Sequence, residues 1–159
     1  MHVRQALPGD ANLALEWLNS EELWRVDNPD DFQTTSLETF APKWAHMLAR
    51  ESVWMLEDAE QIFGQVGWVE QEGQTPELFI TIAVPVYRRA GFGTRALEWL
   101  EAQALARGYT TLCAQVLGNN QAGLKFFERM GYATTTRIDN RVFRNNGCYP
   151  LYRMEKSLS

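Results

Sequence analysis

The spacing of apolar positions changes in a regular order along the chain, and that order predicts the elements. Residues 2–6 read as a short strand, and the Pro8-Gly9-Asp10 turn opens a helix over 11–19 with Leu13, Trp17 and Leu18 on one side. After a loop rich in Asp, Asn and Pro at 27–31, helical spacing returns over 37–50 through Phe40, Trp44, Met47 and Leu48. The alternating stretches 52–57 and 62–70 flank Asp58-Ala59-Glu60 and predict a hairpin, followed by a turn over 72–76. Residues 78–84, LFITIAV, are nearly all apolar, which predicts a strand buried on both faces and ended by Pro85. A helix over 93–107 carries the stripe Ala96, Leu97, Leu100 and Ala104 and stops at Gly108. A strand over 110–116 follows, then a helix over 119–130 stopped by Gly131. The chain closes with two strands over 133–143 and 148–156, joined at Asn145-Asn146-Gly147. Strands interleaved with helices make this a mixed α/β domain.

Composition narrows the class. A chain of 159 residues is one ordinary domain, here 1–159, and its 45% hydrophobic and 22% charged residues exclude disorder, collagen and coiled coil. The net charge of -5 argues against nucleic acid as a partner, whose binding draws on Lys and Arg. Cys113 and Cys148 form no disulfide framework and no zinc spacing, so no metal is expected and the reducing cytoplasm is the expected compartment. Pro8, Gly9 and Asp10 stand where a signal peptide needs an apolar core, and no run of eighteen apolar residues offers a membrane span.

Charge distribution says more than charge total. Glu16, Glu21, Glu22, Asp27, Asp30, Asp31 and Glu38 face a single base, Arg25, whereas Arg88, Arg89, Arg95, Arg107, Lys125 and Arg129 outnumber the acids between 88 and 129. This predicts an acidic and a basic face, against the plainer reading of solvated helix surfaces.

The basic region contains Arg88-Arg89-Ala90-Gly91-Phe92-Gly93-Thr94, set between the apolar strand and an amphipathic helix. Two glycines there let backbone approach a ligand, and the open N–H groups of a helix start attract anions such as a pyrophosphate. A purely structural turn would read the same. The spacing is not that of a P-loop, and no third glycine completes a dinucleotide fingerprint.

Arg88-Arg89-Ala90-Gly91-Phe92-Gly93 resembles the Q/R-x-x-G-x-G/A signature of the GCN5-related N-acetyltransferases. A second block, from Asn120 through Phe126-Phe127-Glu128-Arg129-Met130-Gly131-Tyr132, is similar to that family's N-x-x-A-x-x-x-Y-E-K-x-G-F. The opening LALEWLNSEEL and closing VFRNNGCYPLYRME look like the subgroup with ribosomal-protein, aminoglycoside and sugar-amine acetyltransferases. The resemblance implies a single α/β (α+β) domain with a mixed, mostly antiparallel central sheet flanked by helices. It implies acetyl-CoA as donor and a small-molecule or peptide amine as acceptor. The pantetheine arm would lie along Ile82, Ala83 and Val84, and the pyrophosphate against Arg89, Ala90, Gly91, Phe92, Gly93 and Thr94. Asn120 and Phe127 would meet the cofactor further along, although Asn120 also suits a helix N-cap.

The sequence departs from the family where the chemistry would sit. Phe127 replaces the usual tyrosine acid, and Gln115 occupies a position where some relatives carry a glutamate base. Glu77 and Tyr132 are the candidate replacements, each with a rival reading, Glu77 as an exposed turn residue and Tyr132 as a packing aromatic. Tyr149 and Tyr152 read as packing residues, and Cys113 as a buried hydrophobe. The acidic segment implies a cationic acceptor held by Trp24, Asp27 and Trp44 through charge and ring faces. A CoA-binding sensor without turnover is the alternative, and the edge of the terminal strand pair offers a homodimer contact.

Overall fold

The computed structural model describes residues 1–23, 33–142 and 148–159. Strands β1 (His2–Gln5), β2 (Val53–Glu57), β3 (Ile62–Val69), β4 (Glu77–Ile82), β5 (Thr111–Leu117), β6 (Ala133–Val142) and β7 (Cys148–Ser157) form one sheet in the order β1-β2-β3-β4-β5-β7-β6. Helices α1 (Ala11–Leu18) and α2 (Leu37–Ala49) cover one face. Helices α3 (Phe92–Ala106) and α4 (Gln121–Arg129) cover the other. The expected order of elements is the observed one, because each is punctuated by a local stop: Gly108 and Gly131 take positive φ after α3 and α4, and Ser36 caps α2 by accepting from the Thr39 N–H.

All neighbouring strands pair antiparallel except β4 and β5, which run parallel and meet through a single residue pair, Glu77 with Cys113. This seam corrects the expectation for 78–84. Its ladder ends at Ile82, only Leu78 is fully buried, and Phe79 to Ile82 are half-buried. A run of apolar residues predicts two covered faces only if both neighbours stay paired, and here β5 leaves the ladder after one step.

Strand alternation splits the core in two. Leu78 of β4, Leu112 and Ala114 of β5 and Met154 of β7 pack with Ala96, Leu97 and Leu100 of α3. Met55 of β2 packs with Trp17 of α1 and Phe40 and Trp44 of α2. Asn19 exchanges two hydrogen bonds with the backbone of Thr35, 2.7 and 2.9 Å, and so ties the end of α1 to the approach to α2. Among the described residues no helix is long and apolar enough to cross a membrane.

Candidate active site

The glycine turn lies where β4 ends. Gly91 is the N-cap of α3 with φ +83°, a left-handed conformation that costs other residues roughly 1–2 kcal/mol. It provides no side-chain cap, so the N–H groups of Phe92, Gly93 and Thr94 open the helix without an intrahelical acceptor. A Cβ at Gly91 would meet nothing within 4 Å, so the space at the turn itself is open. Arg89 and Ala90 are exposed beside it. Phe92 holds the turn from below, packing on Phe63 and Tyr87, whose rings stack 4.2 Å apart. The Tyr87 hydroxyl donates to Asp58 in the β2–β3 turn, and this hydrogen bond, with those from the Glu60 and Gln61 N–H groups, holds the Asp58 carboxyl below the usual range.

Arg88, the first base of the Arg-rich stretch, does not face the glycine turn. Its guanidinium turns back, donating from Nε to the Ile82 carbonyl at 3.0 Å and from Nη2 to the Ala83 carbonyl at 2.9 Å, and pairs through Nη1 with Glu22 at 2.8 Å. The Ala83 and Val84 N–H groups both point to the Phe63 carbonyl, at 2.9 and 3.3 Å. Arg88 thus fixes the path of Ile82 and Ala83 as they leave the sheet. Only a reach across chain segments could have revealed this, and spacing carries no such signal.

At the other end of the seam stands Glu77, half-buried, with Gln115 Nε2 at 3.3 Å from its Oε2. Register places Gln115 opposite Arg153 and Cys113 opposite Glu155. Burial raises the Glu77 carboxyl above its ordinary pKa, and the Arg153 charge pulls weakly the other way. Arg153 donates to Glu155 at 3.0 Å, so its charge is shared. A half-buried carboxyl with a raised pKa suits removal of a proton near neutral pH. Cys113 is buried and its thiol pushed up by burial, which makes it an inert neighbour.

Tyr132 is not beside Glu77. It lies on the α3 face, 3% exposed, its hydroxyl donating to Glu101 at 3.0 Å and its ring 5.3 Å from Phe127. Burial, with the Glu101 charge behind it, pushes this phenol further up. Phe127 meets Phe126 edge-on at 5.2 Å, and Phe126 touches the Gly93 position, joining the two sequence blocks in space. Asn120 caps α4, its Oδ1 accepting from the Gly123 N–H at 2.9 Å; a Cβ at Gly123 would strike that amide at 2.6 Å. Trp44 is 3% exposed, stacks on Phe40 and donates to the Leu7 carbonyl, so its ring is committed to packing. Trp24 and Asp27, with Asp30 and Asp31, lie outside the described residues, as does the 145–147 turn. Among the described residues no group of three or more His, Cys, Asp or Glu is placed to hold a metal.

Residues 16–132 match the model of the family described as Acetyltransferase (GNAT) family. No curated protein sequence matches the chain. Among solved structures, the fold superposes on a GNAT superfamily phosphinothricin acetyltransferase from Sinorhizobium meliloti in complex with AcCoA, with TM-score 0.84, 16% identity and coverage of 99% of this chain and 88% of that one. A ribosomal-protein-alanine N-acetyltransferase from Brucella melitensis gives TM-score 0.83 at 18% identity, covering 99% and 100%. A spermidine N-acetyltransferase from Vibrio cholerae in complex with CoA and spermine gives 0.82 at 15%, covering 99% and 95%. At these identities the likeness is one of fold.

Proposed function

The chain belongs to the acetyltransferase (GNAT) family, and on that premise we propose that it transfers the acetyl group of acetyl-CoA directly to the amine of a small molecule or peptide, a cationic one. The observation that carries this reading is the seam between β4 and β5, joined at one pair and open beyond it, with an uncapped glycine turn at one end and a half-buried carboxyl at the other.

The residues present fit the cofactor. The N–H groups from Arg89 to Thr94 bind its pyrophosphate, Gly91 leaves room for it, and exposed Arg89 and Arg95 add charge. Backbone of Ile82, Ala83 and Val84, fixed by Arg88, guides the arm. Asn120 and Phe127 line its path from α4. When bound, acetyl-CoA supplies an acyl thioester whose thiol is acidic enough to leave without a donor, which suits a chain with Phe127 where relatives carry tyrosine. Glu77 takes the proton from the acceptor ammonium, directly or through one water, while the seam orients the amine. The charge of Asp27 and the ring of Trp24 suit a cationic acceptor by their residue types. Tyr132, held by Glu101 on the far face, stabilises the α3–β7 packing in this reading. We place the protein in the cytoplasm, which suits two free thiols, and the outer edge of β6 is where a second copy would add.

Calorimetry with acetyl-CoA, followed by free-thiol release over a panel of cationic amines, tests the proposal. Binding with turnover is expected; turnover of anionic amines alone would overturn the acceptor class. Phe127 and the sequestered Tyr132 hydroxyl favour one second reading, a CoA-binding sensor, which predicts binding with no turnover of any amine.

A further inference from the structure

Among the described residues, one buried side-chain oxygen or nitrogen has no hydrogen-bond partner, Oε1 of Gln65. Gln65 lies in the middle of β3, and register fixes the face it occupies. Its cross-strand neighbours are Met55 of β2 and Thr81 of β4. Met55 is wholly buried in the cluster under α1 and α2, so the Gln65 side chain shares that face. Gly67, two residues along, confirms the direction: a Cβ there would meet the Phe79 ring at 2.7 Å, and Phe79 packs against the same cluster.

This position is next to the seam. Thr81 directly precedes Ile82, and Glu77 lies four residues back along β4 on the same face, about 13 Å away at the rise of a strand. Phe79 and Thr81 are half-buried between them. A buried amide oxygen left without a donor costs roughly 1–3 kcal/mol, and natural folds keep few such groups. Leucine or methionine would fill the same space without that cost. An unpaired carbonyl oxygen lacks a donor, and an N–H or O–H of a polar acceptor supplies one.

We propose that Gln65 reads the acceptor, its Oε1 accepting a hydrogen bond from an N–H or O–H of the acceptor remote from the reacting amine, as that part of the molecule lies on the α1/α2 face beside Thr81. The inference rests on the acetyltransferase reading and names a residue that selects its second substrate. Gln65 holds the acceptor; Glu77 takes the proton.

The test compares wild type with Gln65→Leu, with Gln65→Met as a second apolar variant in case the first fails to fold. Spermidine, glucosamine and an alanyl peptide serve as probes. For whichever probe the wild type acetylates, both variants should show an acceptor KM raised at least tenfold, an acetyl-CoA Kd within twofold, and a Tm equal to or above wild type because the unpaired group is gone. Gln65→Glu, which keeps an accepting oxygen, should hold the KM at or below wild type. An unchanged KM in the apolar variants overturns the proposal, as does a lowered Tm accompanied by weaker acetyl-CoA binding, which marks a structural role. A Gln65→Glu variant as impaired as Gln65→Leu also overturns it, by showing that the amide N–H is the recognising group. Failure of the underlying reading looks different: wild type then binds no acetyl-CoA, or binds it and turns over no amine, and both readings fall.

Discussion

Glu70 and Glu77 stand at the two ends of one turn, where β3 leaves the sheet and β4 enters it, and they are opposites. Burial works to raise the Glu70 carboxyl, but hydrogen bonds from the Tyr109 hydroxyl, the Trp68 indole and Arg50 outweigh it and hold the group below its usual range. Burial raises Glu77, and only the charge on Arg153, shared with Glu155, works against it; the bond from Gln115 is long, at 3.3 Å. Burial alone therefore decides nothing; the number and quality of donors does. The Glu70 corner is closed upon itself. The Glu77 seam is left with bonding capacity that the fold does not use, and the unpaired Gln65 oxygen shares its face of the sheet.

Replacing Glu77 tests that contrast with the largest expected effect. Glu77→Gln should lower kcat by about 100-fold or more, the usual cost of losing a general base. In the wild type, kcat/KM should rise with pH through the raised Glu77 ionisation, and the variant should lose that limb. Stability should move the other way. A carboxyl raised by folding contributes stability below its unfolded pKa, near 4.3 for glutamate, and loses that contribution as pH climbs through the folded value. At neutral pH the variant should melt no lower than wild type. Full activity, or a lowered Tm, would erase the distinction between the two glutamates.

Glu70→Ala is the mirror experiment. It leaves the Tyr109 hydroxyl and Trp68 N–H without their acceptor, at a cost of about 2 kcal/mol, or roughly 4–8 °C in Tm. Steady-state rates at a temperature where the variant stays folded should match wild type. A depressed carboxyl gives stability that is present above its unfolded pKa and lost as pH falls through the folded value. Urea melts at neutral and acid pH should show wild type losing stability in that window and Glu70→Ala losing less. The glycine turn offers an intermediate case. Gly91→Ala pays roughly 1–2 kcal/mol for its left-handed φ and places a Cβ in the space before the helix start. Calorimetry should find acetyl-CoA bound about tenfold more weakly. Gly93→Ala, which meets only the Phe126 ring at 3.7 Å, should keep full stability.

Much of this was legible in the sequence because the signals are local. Period, proline and glycine marked each element, and the two blocks around Gly91 and Asn120, which the fold brings together through Phe126, marked the candidate site. The features that escaped are non-local. LFITIAV reads as a doubly covered strand because nothing within it records that β5 departs after one pair. Arg88 reads only as one base of a basic stretch because the carbonyls it grips are brought to it by the turn after Ile82. Glu77 and Tyr132 read as equivalent candidates until the sheet separates them onto opposite faces. Gln65 is an unremarkable polar residue in an alternating strand, and only tertiary packing leaves its oxygen buried without a donor.

Arg107 at the end of α3 lies 5.1 Å over both the Trp54 and Trp68 rings and donates to the Arg50 and Glu51 carbonyls. Its side chain is exposed, so Arg107→Met, which retains the apolar stem, should cost only about 0.5–1 kcal/mol. Trp68 is the ring beneath Arg107 and also a donor to Glu70, and Arg50 contacts both residues. The closed corner is then one unit. Combined with Glu70→Ala, Arg107→Met should be non-additive by about 0.5 kcal/mol or more, since each change loosens the group the other depends on. Combined with Glu77→Gln, which shares no contact with it, the two effects should sum within about 0.3–0.5 kcal/mol. Coupling of Arg107 to Glu77 as strong as to Glu70 would mean that the seam and the corner are a single structural network, and that Glu77 is held by the fold after all.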